Sequence, residues 1–255
     1  MSWYSLLQPD NVYTFLLLFV RLSTLFVFLP FFNHMTISPQ IKAAFAFYLT
    51  LVLFPIVPVT PEPQSTSLLF AAILSEAVMG LIAGVVLNIV FGIFSYAGEQ
   101  IAFVMGFSLA SVIDPQSQIQ SPLVSQFLTL LAMIVLLAFN GHYMILTWMV
   151  EALRNAPLGG FVLSHEMFDY IVSAMGHLFV MGFSVAFPIV ALSLLSDIIF
   201  GMLMKTMPQF NLLVVGFPIK IALSLAVWFA VLGSMMLIFK GEFLSAIDVL
   251  MQWIR

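Results

Sequence analysis

The sequence predicts an all-α integral membrane protein, on two grounds. Of its 255 residues, 63% are apolar and 7% are charged, whereas soluble domains run near 45–50% apolar and roughly 25% charged. With a mean hydropathy of +1.17, a chain holding 27 Phe and 16 Met would expose a vast apolar surface in water. The second ground is layout. Unbroken apolar stretches such as residues 130–138 (LLAMIVLLA) do not alternate as the roughly ten-residue strands of a transmembrane barrel do. A soluble enzyme, a disordered chain, a collagen and a disulfide scaffold are all excluded. The absence of Cys removes thiolate chemistry, and 11 acids against 7 bases (net −4) leave no nucleic-acid footprint. Residues 1–11 carry no Lys or Arg and do not read as a signal peptide.

A spanning helix needs roughly 20 apolar residues, and six runs approach or exceed that length. They cover residues 12–32, 43–57, 68–97, 123–150, 168–204 and 212–239. Pro58, Pro61 and Pro63 mark the connection after the second run as a loop. Pro157, Gly159 and Gly160 do the same after the fourth. The fifth run is too long for one simple span and too short for two. Pro188 near its middle predicts a kinked helix or two half-length pieces. Residues 241–255 read as a short amphipathic tail helix. Basic residues fail to set an orientation: Arg154, Lys240 and Arg255 would lie on one side, Lys42 and Lys205 on the other.

No catalytic motif emerges. The chain has no phosphate loop, no His-Glu-x-x-His and no nucleophile elbow. His34, His142, His165 and His177 are scattered without metal-ligand spacing, so no cofactor or metal is expected. Charges inside apolar runs say more. Arg21, Glu76, Asp197 and Lys220 would each cost about 2.5–3.5 kcal/mol if left unpaired at membrane depth. One function for them is an ion or proton relay in a small-solute carrier. The alternative is pairing, for instance Lys220 with Asp197 or Glu76, to fix helix packing; the lack of a second matching set favours pairing.

Residues 98–122 are the most polar long stretch, beginning Gly98-Glu99-Gln100. A water-facing loop would not hold Phe103, Met105, Phe107, Leu109, Val112 and Ile113 together. Asp114-Pro115 then stop the run before it is long enough to span. The stretch therefore reads as a re-entrant or plug segment, with flexible Met and Phe filling an irregular gap. A surface amphipathic helix is the competing expectation.

Several short motifs occur in order: Gly98-Glu99, Met105-Gly106-Phe107-Ser108, Asp114-Pro115, Phe139-Asn140-Gly141-His142, Pro157-Leu158-Gly159-Gly160, Met207-Pro208-Gln209 and Gly216-Phe217-Pro218. With Arg21 and Pro39-x-x-Lys42, this set resembles the FliR family of flagellar type III export-gate proteins over essentially the whole chain. The Phe-Asn-Gly-His block looks flagellar rather than injectisome-like, and Lys220 departs from the apolar residue expected there. The resemblance implies a single-copy, non-enzymatic structural and gating subunit in the bacterial inner membrane at the flagellar basal body. Its implied partners are multiple copies of FliP and FliQ, the switch protein FlhB, and unfolded export substrates. It also implies a FliP-like portion over residues 1–187 and a FliQ-like hairpin with the tail over 188–255. The implied plug spans 105–122, with Met105, Gly106, Phe107, Ser108, Leu109, Val112, Ile113, Asp114 and Pro115 closing the channel. Lys205, Met207, Pro208, Gln209 and Asn211 would form a hairpin tip at the cytoplasmic entrance. Arg21, Glu76, Glu99, Asn140, His142, Asp197 and Lys220 are the expected intramembrane polar and packing positions.

Overall fold

The computed structural model describes residues 8–29, 38–63, 65–107, 123–207 and 212–254. Among them the order is α1 (Pro9–Phe28), α2 (Pro39–Leu53) with a 3-10 turn at Phe54–Ile56, α3 (Thr66–Met105), α4 (Leu123–Ala138), α5 (Gly141–Asn155), α6 (His165–Thr206), a π-turn at Leu212–Gly216, and α7 (Phe217–Trp253). Among the described residues, five helices are long and apolar enough to cross a membrane, or six if α4 and α5 form one broken span. The chain is an all-α membrane protein. α1 and α2 both open on a proline in the first turn, where the missing N–H costs nothing. α1 stops at Leu29, which is extended (ψ 128°) because it precedes Pro30 and an α conformation there would clash with the proline ring.

Three boundaries differ from those the sequence suggests. α3 runs on through Gly98-Glu99-Gln100 to Met105, so the start of the proposed re-entrant stretch is helix. Its period explains why: Ala97, Ile101, Ala102 and Met105 are buried while Glu99 and Phe103 face outward. The polar residues therefore sit on an exposed face of a helix whose other face continues the core. The fourth run is broken at Asn140, whose φ of 62° is a left-handed conformation that Asn tolerates. The tail is not a separate helix, because α7 continues through Gly241. Its amphipathic face is nonetheless present, with Phe243, Ala246, Ile247, Leu250 and Ile254 buried. Pro188 lies inside a single α6, so the fifth run is not two pieces.

The chain divides into two compact units. The first comprises described residues of Met1–Ile89, Asn140–Ala174 and Phe243–Arg255, the second those of Val90–Phe139 and Met175–Glu242. In the first unit α1 lies along α3 on a seam of four-residue spacing: Glu76, Gly80, Gly84 and Asn88. A Cβ on Gly80 would collide with Thr24 Oγ1 and the Arg21 carbonyl, and one on Gly84 would sit 2.5 Å from Phe28 Cβ. Asn88 Nδ2 donates to the Phe28 carbonyl at 3.0 Å, satisfying an orphan acceptor at the end of α1. Trp148 Nε1 donates to the Leu250 carbonyl at 3.0 Å, tying the last turns of α7 to α5. In the second unit Phe91 and Phe94 meet Phe239 edge-on, 5.1 and 5.3 Å between centroids. Gly182 admits Tyr96, whose Cδ1 would lie 2.7 Å from an added Cβ. Ser193 Oγ donates to the Val104 carbonyl at 2.8 Å.

Candidate functional site

Four of the singled-out charges form two ion pairs. Arg21 reaches Glu76 through Nε to Oε2, and through Nη2 to Oε1 at 3.0 Å. Glu76 Oε1 also accepts the Gly159 N–H at 2.6 Å, and Arg21 Nη1 points at the Ala152 and Ala156 carbonyls, 3.4 Å each. Both side chains are sealed, 5% and 0% exposed, so every charge must find its partner inside the protein. The seam of small residues next to Glu76 lets α1 approach closely enough for this. Lys220 Nζ is 2.8 Å from both oxygens of Asp197. Here the lysine is buried but Asp197 is 52% exposed, amid the outward apolar residues Leu194, Leu195, Ile198 and Ile199.

The other polar positions do not join a common cluster. Glu99 is exposed on α3, and Asn140 is exposed at the break before α5. The His142 ring lies 4.3 Å from that of Tyr143, tilted by 37°, and its buried Nδ1 has no partner among the described residues. Among those residues no group of three or more acidic or His side chains could hold a metal. Sequence reasoning missed His177, which meets Glu242 at 3.0 Å; the two are 65 residues apart and no spacing signal links them.

Met105 is fully buried as the last residue of α3. Gly106 (φ 87°) ends the helix as a Schellman cap. Its N–H donates to the Phe103 carbonyl, and the Phe107 N–H to the Ala102 carbonyl, both at 3.1 Å. That pair of bonds and the left-handed glycine define the motif. Phe107 beyond it is exposed. Ser108, Leu109, Val112, Ile113, Asp114 and Pro115, with the rest of the expected plug to Pro122, lie outside the described residues. So do Pro208, Gln209 and Asn211 of the expected hairpin tip. Lys205 occupies the last turn of α6, where a cation complements the helix dipole. The Met207 N–H closes that turn on the Leu203 carbonyl at 2.8 Å.

Residues 12–246 match the family described as bacterial export proteins, family 1. The chain belongs to this family. Its relatives include the flagellar biosynthetic protein FliR of Bacillus subtilis, 30% identical over 239 residues covering 92% of each chain. FliR of Escherichia coli is 26% identical over 203 residues, 80% of this chain and 78% of that protein. FliR of Caulobacter vibrioides is 25% identical over 241 residues, 94% and 96% of the two. The family match includes part of each unit and reaches from within α1 into α7. As a FliR-family protein the chain is a membrane component of the flagellar export apparatus.

Proposed function

We propose that the chain is a single-copy structural and gating subunit of the flagellar type III export gate, assembled with several copies of FliP and FliQ in the inner membrane. The observation that supports this most is how little of the long helices the chain buries by itself. The most apolar window of α3 is 61% buried, but that of α6 is 33% and that of residues 214–253 only 17%. At a rise of 1.5 Å per residue, helices of 40, 42 and 37 residues run about 55–63 Å, against a hydrocarbon core of ~30 Å. Lipid covers about half such a length, and other protein subunits cover the rest. In this reading residues 1–187 form the FliP-like portion and 188–255 the FliQ-like hairpin. The Lys205–Asn211 tip meets FlhB at the cytoplasmic entrance. The segment from Met105 to Pro115 plugs the channel for unfolded flagellar substrates, held by only a few kcal/mol so that it can leave.

The carrier reading draws no support from the pairing of Arg21 with Glu76 and of Lys220 with Asp197, which occupies the charges a relay would use. Co-purification with native mass spectrometry tests the subunit assignment: FliP and FliQ are expected in multiple copies beside one copy of this chain. A chain that purifies alone or as a homo-oligomer overturns it. A crosslinker at Gln209 is expected to trap FlhB. Deleting residues 106–113 is expected to leave an assembled complex that leaks ions and small solutes; an assembled, leak-tight complex rejects the plug.

A further inference from the structure

Glu76 has one more partner than an ion pair needs. Beyond the two contacts from Arg21, its Oε1 takes the Gly159 N–H, and Arg21 spends its remaining donors on the Ala152 and Ala156 carbonyls. Ala156 is the C-cap of α5, so the guanidinium covers a carbonyl that a helix end leaves without an intrahelical partner, and it reaches the Ala152 carbonyl beside the Ala156 N–H already bound there. The carboxylate does the opposite, accepting a donor from the turn that follows. Gly159 is fitted to that contact in two further ways. Its φ is +79°, and a Cβ there would sit 3.1 Å from Ala72 Cβ and 3.6 Å from the Tyr13 hydroxyl. Gly160 has only ordinary contacts, the Pro157 carbonyl at 3.5 Å being the nearest.

We propose that Arg21 and Glu76 form a directional latch that straps the turn at residues 156–160 onto α1 and α3. The latch keeps Leu158 buried while Val162 and Leu163, a few residues on, remain exposed. Direction is what separates a latch from a plain ion pair. The carbonyls of α5 accept only a donor, which is Arg21, and the Gly159 N–H needs an acceptor, which is Glu76. Exchanging the two residues keeps the net charge and the pairing but sets a carboxylate against two carbonyls and a guanidinium against an N–H. Just beyond the strap, Ser164 Oγ accepts the Met167 N–H at 3.2 Å and caps the start of α6.

The chain contains no Cys, so a single introduced thiol reports on the turn in the full-length protein in its native membrane. With Leu158→Cys as the buried reporter and Val162→Cys as the exposed control, a permeant maleimide is expected to label the former at least about tenfold more slowly, because the strap must open first. Gly159→Ala is expected to abolish that protection and Gly160→Ala to retain it. The exchange variant R21E/E76R is expected to leave Leu158→Cys as reactive as the control. Restored protection in the exchange variant, retained protection in Gly159→Ala, or lost protection in Gly160→Ala each overturns the latch. If the exchange variant is lost from the membrane, it has failed to restore the turn. Gly159→Ala, which keeps both charges in place, then decides alone.

Discussion

Two ion pairs among the described residues, Arg21–Glu76 and Lys220–Asp197, are finished to different degrees. Arg21–Glu76 is closed on all sides, both side chains at 5% exposure or less, with Gly159 and the end of α5 completing its hydrogen bonds. Lys220–Asp197 is closed on the lysine side alone: Asp197 is 52% exposed and accepts from no other group among the described residues. Gly80 and Gly84 press on α1, whereas Gly201 and Gly233 have nothing within 4 Å. The first arrangement is complete within one chain. The second leaves a carboxylate and an apolar helix face exposed on this chain, the surface that the proposed assembly would cover.

The sharpest way to break this contrast is to remove one partner of each pair. Glu76→Ala strands a buried guanidinium and is expected to cost about 3–5 kcal/mol, read as a loss of folded protein in denaturant. Gly84→Ala, with Phe28 Cβ 2.5 Å away, is expected to force α1 outward at about 1–3 kcal/mol, measured the same way. Asp197→Asn is expected to cost about 1 kcal/mol, since solvent screens its half-exposed carboxylate. A loss as large as that of Glu76→Ala would show the second pair to be as sealed as the first. Smallest is Gly201→Ala, an open helix position, expected to stabilise the isolated chain by about 0.5–1 kcal/mol. A loss of stability there would mean that its face is already packed.

The Arg21–Glu76 site was half legible. A cation amid residues 15–28 demands a partner, but the sequence does not say which, and it offers Glu76 to Lys220 rather than to Arg21. Nothing local says that Gly159, 83 residues on, completes the carboxylate. Glu76, Gly80, Gly84 and Asn88 share a four-residue spacing that is visible in the letters, yet its meaning depends on α1 lying against it. His177 and Glu242 show the limit, for their contact follows from which helix faces meet. Gly98-Glu99-Gln100 interrupts the apolar composition of α3 without interrupting its helical period. Placed on a helix wheel, those residues leave Ala97, Ile101 and Met105 on one buried stripe.

What the sequence determined by itself is the solvent and the secondary structure. An apolar content of 63% cannot be hidden in water, and in lipid a continuous apolar run must satisfy its own backbone, which leaves helix as the outcome. Proline positions then place the starts of α1 and α2 and the end of α1, because ring geometry acts on adjacent residues alone. Tertiary structure decided which charges meet, that 66–105 is one helix, and that Asn140 rather than a proline breaks the fourth run. Those outcomes depend on energies shared between residues distant in the chain. Gly98 stays helical with its missing Cβ against the Ser125 backbone, 2.8 Å from its nitrogen. Glu76 is satisfied in an apolar interior because two segments distant in the chain, α1 through Arg21 and the turn at Gly159, bring it donors at once.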